Sequence, residues 1–175
     1  MIEATFAAVK DMTTARLRVC CISNNMAGLE RIFADTKTMA LYPDFVTSKD
    51  KPLLNFLPLL QQHGIHIFPL MDVSKNVVIG FLTLNEIDEA NKQIEIGYFL
   101  GSEFWGMAYA REAVQALLAC LKEQGWQRIM ATFYSGNDSS EKLLVDMGFK
   151  LEGIEKDAYE IHGNKHDNVI YTLQI

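Results

Sequence analysis

The chain is poor in cysteine, with three in 175 residues, two of them adjacent (Cys20, Cys21). That arrangement offers neither a disulfide framework nor a zinc spacing. The histidine pairs, His63 with His66 and His162 with His166, have no further ligand-type neighbours, so no metal is expected. Long apolar runs are missing too. The best candidate, Val77 to Leu84, falls far short of the ~20 residues of a membrane span. The N-terminal stretch carries Glu3, Lys10 and Asp11, with no apolar segment of the secretory kind. There is no basic run: 16 Lys and Arg are scattered against 22 Asp and Glu, a net charge of −6, which argues against a surface that neutralises nucleic-acid phosphates. Repeats, low-complexity tracts and Gly/Ser linkers are also absent. What remains is 49% hydrophobic and 10% aromatic, too apolar for a disordered chain. At ~150 residues per domain it reads as one cytoplasmic domain over residues 1–175.

The apolar periodicity predicts an α+β order. Alternation over Arg16 to Val19 predicts a short strand, with Cys20 and Cys21 on alternate faces. Ser23 or Asn24 is the expected cap of a helix carrying Met26, Leu29, Ile32 and Phe33. A loop at Tyr42-Pro43 and a short or kinked helix over 52–60, broken at Pro58, come next. Three strands, His66 to Met71, Val77 to Asn85 and Gln93 to Leu100, then form an antiparallel meander. Ala110, Ala113, Val114, Leu117, Leu118 and Leu121 make one continuous helical stripe, ended by Gly125, with Cys120 beside it. A strand over Ile129 to Phe133 leads to a shorter helix through Ser140, Leu143, Leu144 and Met147, closed by Gly148. Phe149 to Leu151, a turn at Gly163-Asn164 and a last strand over 168–175 complete the pattern.

The junction between the third strand and the long helix is where chemistry concentrates. Glu95-Ile-Gly-Tyr-Phe-Leu-Gly-Ser-Glu-Phe-Trp-Gly-Met-Ala-Tyr-Ala-Arg-Glu-Ala runs from a strand through a tight turn, with Gly106 and Ala108, into the helix. Small residues admit a ligand close to the backbone, and the N–H groups of a first helical turn attract anions. This describes a phosphate-binding turn, although its glycine spacing is that of neither the dinucleotide fingerprint nor the P-loop. Taken alone, it reads more readily as an ordinary strand–helix connection.

The surrounding residues resemble the GCN5-related N-acetyltransferase superfamily, in particular its ribosomal-protein N-terminal acetyltransferase (RimJ/RimL-like) and spermidine-type branches. The first block is Glu95 to Leu100 with Phe104 to Ala113; the second is Asn137-Asp-Ser-Ser140, Leu144 and Gly148-Phe149. Gly163 and Asp167 match the family's C-terminal Gly-x-x-x-Asp hairpin, and the likeness runs from Thr14 to the C-terminus. The resemblance implies a mixed, three-layer αβα fold whose twisted, mostly antiparallel central sheet is flanked by helices. It implies acetyl-CoA as donor, an amine acceptor, no metal, and a monomer or homodimer. In the same way it implies that the backbone amides of Trp105, Gly106, Met107, Ala108, Tyr109 and Ala110 hold the pyrophosphate. The main chain of Phe99 and Leu100 would pair with the pantetheine arm as an added strand, and Asn137 would bond the arm from the far side. An N–H near Leu100 is the candidate oxyanion donor. Glu95 is the candidate base, acting through water, and Ser140 the candidate donor to the leaving sulfur.

Other readings of these residues stand beside those. Glu95 also reads as a structural carboxylate paired with a cross-strand Lys or Arg, Ser140 as a helix-capping hydroxyl, and the Trp105 and Tyr109 side chains as core aromatics. The chain departs from the family pattern at Cys20 (commonly Arg), over Met39 to Tyr42 (commonly Arg and an aromatic), at Met107 (commonly Lys or Arg) and at Leu144 (commonly a Tyr acid). A protein N-terminal amine, a polyamine or an antibiotic all remain as acceptors. Glu86, Asp88 and Glu89 are expected in a turn, as solvated surface. The alternative from another class is a non-catalytic acyl-CoA-binding module.

Overall fold

Seven strands form one sheet in the order β1-β2-β3-β4-β5-β7-β6. They are β1 (Leu17–Val19), β2 (His66–Asp72), β3 (Val77–Asp88), β4 (Gln93–Leu100), β5 (Arg128–Tyr134), β6 (Lys150–Ile161) and β7 (Asn164–Gln174). The structure is a computed structural model and describes residues 1–40, 57, 60–161 and 163–175. The loop expected at Tyr42-Pro43 lies outside these residues, as do His162 and all of the helix expected over 52–60 except Leu57 and Leu60. Accompanying the sheet are the helices α1 (Ile2–Lys10), α2 (Met26–Ala34), α3 (Thr36–Met39), α4 (Tyr109–Glu123) and α5 (Asp138–Asp146), with a 3-10 turn over Ser102–Phe104; Leu57 and residues 60–62 are helical as well.

Neighbouring strands are antiparallel except β4 and β5, which run parallel. A parallel step needs a long crossover, and α4 supplies it. The central strands bury both faces, and the core divides accordingly. Val114, Leu117 and Leu121 of α4, Val9 of α1 and Leu144 of α5 pack with Leu82, Leu84, Ile94 and Ile96. Leu29, Ile32 and Phe33 of α2 pack with Met39, Phe81 and Phe99 on the other side. This is the expected α+β sheet flanked by helices.

The departures are local. Helix α1 was not foreseen: its inward stripe of Ile2, Phe6 and Val9 is shared with Thr5, a polar residue that hides the period. Thr5 is there because it accepts a hydrogen bond from the buried Trp126 indole at 2.9 Å. The N-cap of α2 is Asn25, not Ser23 or Asn24, and its side chain donates back to the Cys21 carbonyl instead of capping the helix. Cys20 and Cys21 follow β1 as non-strand residues, half-buried and exposed respectively. The largest difference is the C-terminal hairpin, where β6 extends to Ile161 and β7 starts at Asn164. Its outer part is charged and exposed, so no apolar alternation announces it. Asp167 braces it instead, accepting from the Asp157 N–H at 3.0 Å and from Lys156 Nζ at 2.7 Å across a bulge where Asp157 has φ +53°.

Candidate active site

β4 and β5 pair only at their beginnings, Gln93 to Glu95 against Arg128 to Met130. Beyond that, β4 stays with β3 as far as Leu100 opposite Gly80, and β5 stays with β7 as far as Tyr134 opposite Asn168. The sheet therefore opens as a wedge between two strands each held by its outer neighbour. The Gly101 N–H donates to the Ile79 carbonyl, which sets the alternation of the ladder. Phe99 turns its N–H and C=O to β3, whereas Tyr98 and Leu100 turn theirs toward the wedge. The Leu100 carbonyl accepts from Thr38 Oγ1 at 3.1 Å and from the Trp105 indole at 2.8 Å. Asp35 fixes the chain two residues on, accepting from the Ser102 N–H at 2.6 Å. Burial opposes ionisation of Asp35, but the hydrogen bonds from Thr38 and Ser102 outweigh it and hold the carboxyl at about 2.

Below the wedge the chain makes the turn singled out in the sequence. Gly106 has φ +74° and Ala108 φ +60°, both left-handed. A glycine adopts that conformation freely, whereas an alanine needs its surroundings to impose it. α4 starts at Tyr109 with no side-chain cap, so the N–H groups of Tyr109, Ala110 and Arg111 have no intrahelical partner. They border a groove of about 500 Å³ lined by Leu100, Trp105, Gly106, Ala108, Ala110 and Ser139, together with two cations, Arg111 and Lys142. Arg111 pairs with Asp146, tying α4 to α5 along one side. Trp105 is 44% exposed beside this groove, not part of the core. Tyr109 is buried as expected, its hydroxyl donating to Asp72.

Next to the groove-lining Ser139 and Ser140, Asn137 caps α5 through Oδ1, which accepts from the Ser140 N–H at 3.3 Å and from Ser139 Oγ at 2.9 Å. Its Nδ2 is buried with no hydrogen-bond partner among the described residues. A buried amide donor left unpaired costs roughly 1–3 kcal/mol, so a ligand carbonyl fits there. Asn137 and Ser140 are both nearly buried, and Ser140 borders the groove on one side and a second cavity on the other.

That second cavity, about 550 Å³, lies where the wedge opens toward β3 and β6, and includes Thr83, Glu86, Glu95, Thr132, Tyr159 and Glu155. No Lys, Arg or His is among its described lining residues. Glu95 faces it, with Thr132 Oγ1 donating to its carboxylate at 2.8 Å. Burial pushes the Glu95 carboxyl up from its ordinary range. The Thr132 hydrogen bond pulls against this, and the Glu86 charge adds to it. The cross-strand partner of Glu95 is thus a hydroxyl, not the Lys or Arg considered from sequence. Tyr134 and Tyr159 meet edge to face, 4.5 Å between centroids, on the far wall. The two cavities share Tyr98 and Ser140, and the Tyr98 hydroxyl donates to the Ser140 carbonyl at 3.4 Å. Leu144, at the family's Tyr position, is core. Sequence reading missed Arg111, Lys142 and Glu155, and set Glu86 aside as solvated surface in a turn, whereas it stands on β3 at the cavity. Arg111 was within reach, sitting in the variable position of Ala-x-Glu-Ala, whereas the other three are ordinary surface charges until the fold is known.

Residues 16–150 match the acetyltransferase (GNAT) domain family, and the chain belongs to that family. It is 31% identical over 140 residues to the uncharacterized N-acetyltransferase p20 of Bacillus licheniformis, covering 79% of each chain. It is 29% identical over 131 residues to the ribosomal-protein-serine acetyltransferase of Escherichia coli strain K12, covering 73% of this chain and 72% of that one. Among solved structures it is similar to RimL, a ribosomal L7/L12 alpha-N-protein acetyltransferase, in complex with coenzyme A. The TM-score is 0.76 at 26% identity, over 93% of this chain and 96% of that one.

Proposed function

We propose that the protein transfers an acetyl group directly from acetyl-CoA to a primary amine, with a protein N-terminal α-amine as the acceptor. One observation carries this reading: a cation-bearing groove and a carboxylate-lined cavity meet at Tyr98 and Ser140, beside the open edge of β4. The groove suits a phosphate-bearing donor. The backbone amides of Gly106, Met107, Ala108, Tyr109 and Ala110 would face the pyrophosphate, with Arg111 and Lys142 adding charge, whereas the Trp105 N–H, expected among them, donates to the Ser102 carbonyl at 3.3 Å. The pantetheine arm would run along the wedge-facing backbone of Tyr98 and Leu100, with Phe99 supporting it from within the sheet, and Asn137 Nδ2 would donate to an amide carbonyl of the arm. The cavity suits an amine that arrives as a cation. The choice of an N-terminal amine rests on the names of the relatives.

An α-amine has a pKa of about 7.7–8.0, so part of it is protonated at neutral pH and must lose that proton before attack. Glu95 would take it through a water, a reading supported by its raised pKa, which makes it a stronger base than an ordinary carboxylate. The Leu100 N–H is aimed to stabilise the negative charge that develops on the acyl oxygen. Ser140 Oγ donates to the departing sulfur. Holding amine and thioester together in this junction accounts for more of the acceleration, roughly 7–11 kcal/mol, than any single proton transfer.

The test begins with a thermal-shift titration against acetyl-CoA, with NAD as control. Saturation at 100 Kd stabilises by about 2.7 kcal/mol, a clear rise in Tm. A panel of peptides with free N-termini, beginning with serine, and of polyamines then follows CoA release. No shift with acetyl-CoA refutes the donor site. A shift with no turnover on any amine leaves a binding module, and preference for polyamines over peptides refutes the acceptor class.

A further inference from the structure

Arg16 borders neither cavity, yet its contacts converge behind the phosphate-binding turn. Its Nε donates to Glu112 Oε2 at 2.6 Å, its Nη1 donates to the Met107 carbonyl at 3.0 Å, and its guanidinium lies 4.4 Å from the Tyr109 ring centroid. Glu112, one turn into α4, is itself fixed. It accepts from Thr14 Oγ1 and from the Arg16 N–H, as well as from the guanidinium. The planar guanidinium thus spans a rigid carboxylate and one specific carbonyl, with an aromatic ring beneath it.

The carbonyl it holds matters because of peptide geometry. The Met107 C=O and the Ala108 N–H belong to one trans peptide and point in opposite directions. With the carbonyl taken by Arg16 on the outside, the Ala108 N–H is directed to the groove, which Ala108 lines and Arg16 does not. The same contact explains why a non-glycine residue keeps φ +60° at that position.

We propose that Arg16 is a positioning residue for donor binding: by holding the Met107 carbonyl against Glu112, it aims the turn's amides at the phosphates. This rests on the groove being the acetyl-CoA site, and the test separates the two ideas. CoA and pantetheine, which has no phosphate, are each titrated against the wild type, Arg16→Gln and Arg16→Lys, following the fluorescence of Trp105 beside the groove. Arg16→Gln weakens CoA about tenfold, the loss of roughly one charge-assisted contact. Arg16→Lys weakens it by about threefold or more, because a single ammonium cannot span Glu112 and the carbonyl as the fork does. Pantetheine binds all three proteins alike. The inference falls if CoA binds Arg16→Gln as it binds the wild type, if pantetheine weakens in parallel, or if lysine fully restores CoA affinity, which would reduce the role to charge alone. If the wild type itself fails to bind CoA, the groove assignment falls first, and this inference with it.

Discussion

The donor groove and the acceptor cavity adjoin at Ser140 and Tyr98, but they are made in different ways. The groove takes its chemistry from one continuous stretch, Leu100 to Arg111, and mostly from backbone: two left-handed residues, an uncapped helix start and one carbonyl end held by Thr38 and Trp105. The cavity is a side-chain assembly drawn from five strands, with Thr83 and Glu86 on β3, Glu95 on β4, Thr132 on β5, Glu155 on β6 and Asn168 on β7. Backbone recognition tolerates side-chain change, so Met107 can stand in the turn without destroying it. An assembly of side chains changes its selectivity with each substitution. The comparison teaches that the two halves should fail differently: damage to the groove should appear in donor binding, damage to the cavity in turnover and its pH dependence.

The largest effect is expected at Glu95. Glu95→Gln keeps the shape and the contact with Thr132 but removes the base, and kcat should fall on the order of 10²-fold, at the low end for general-base removal, with CoA affinity unchanged. The same change should raise Tm at neutral pH. A carboxyl whose folded pKa is raised favours the folded state below its unfolded pKa and loses that contribution as pH rises through the folded value. Wherever the carboxyl is ionised, that half-buried charge is therefore a burden that glutamine relieves. Steady-state kinetics and a melting curve check both halves, and a fall in Tm together with kcat would return Glu95 to a structural role.

Next in size is the groove. Gly106 has φ +74° with nothing within 4 Å of an added Cβ, so the cost of valine there is set first by a conformation that β-branched residues resist. Gly106→Val should weaken CoA by some tens-fold, about 2 kcal/mol, while kcat at saturating donor stays within a few-fold. Isothermal calorimetry and a donor titration separate the two. Equal losses in affinity and kcat would show that groove and cavity are not independent.

How much of this was visible in the sequence follows the same division. The turn was legible because its determinants are local: a strand of Gln93 to Leu100, a small-residue turn and the Ala113-Val114-Leu117-Leu121 stripe are contiguous, and every one stands where its period placed it. The cavity was not, because Glu86 and Glu155 are 69 residues apart in sequence and only the order β3-β4-β5-β7-β6 brings them to one space. Trp105 was misplaced for a related reason. An aromatic beside a tight turn reads as core, but here its indole is needed by the Leu100 carbonyl at the mouth of the groove, which holds it at the surface. Thr5 hid α1 by the converse route, a polar residue buried for the sake of one distant indole.

Asn137, the cap of the helix that carries Ser139 and Ser140, offers a smaller, sharper test. Asn137→Asp keeps the Oδ1 acceptor that caps α5 and loses the Nδ2 donor, so helix stability should hold while CoA weakens about tenfold, the value of one buried hydrogen bond to a ligand. Asn137→Ala should lose both, with roughly 0.5–2 kcal/mol of stability going with the cap. Equal CoA affinity in the wild type and Asn137→Asp would mean that Nδ2 meets no part of the donor.

The smallest effect concerns the charge of the cavity and has a definite sign. Glu86 is exposed at the rim, and its negative charge helps keep the Glu95 carboxyl protonated to higher pH, after burial, which is the larger cause. The form of Glu95 that accepts a proton is the carboxylate, so the acidic limb of kcat marks its ionisation in the complex. Glu86→Gln removes a repulsion, which lowers the Glu95 pKa, so the limb should move to lower pH and activity on that limb should rise. Because Glu86 sits in water, the difference should shrink as ionic strength approaches 1 M, where the screening length is about 3 Å. A limb that moves upward, or a shift that salt does not touch, would show that Glu86 acts through contact with the acceptor and not through the field it imposes on Glu95.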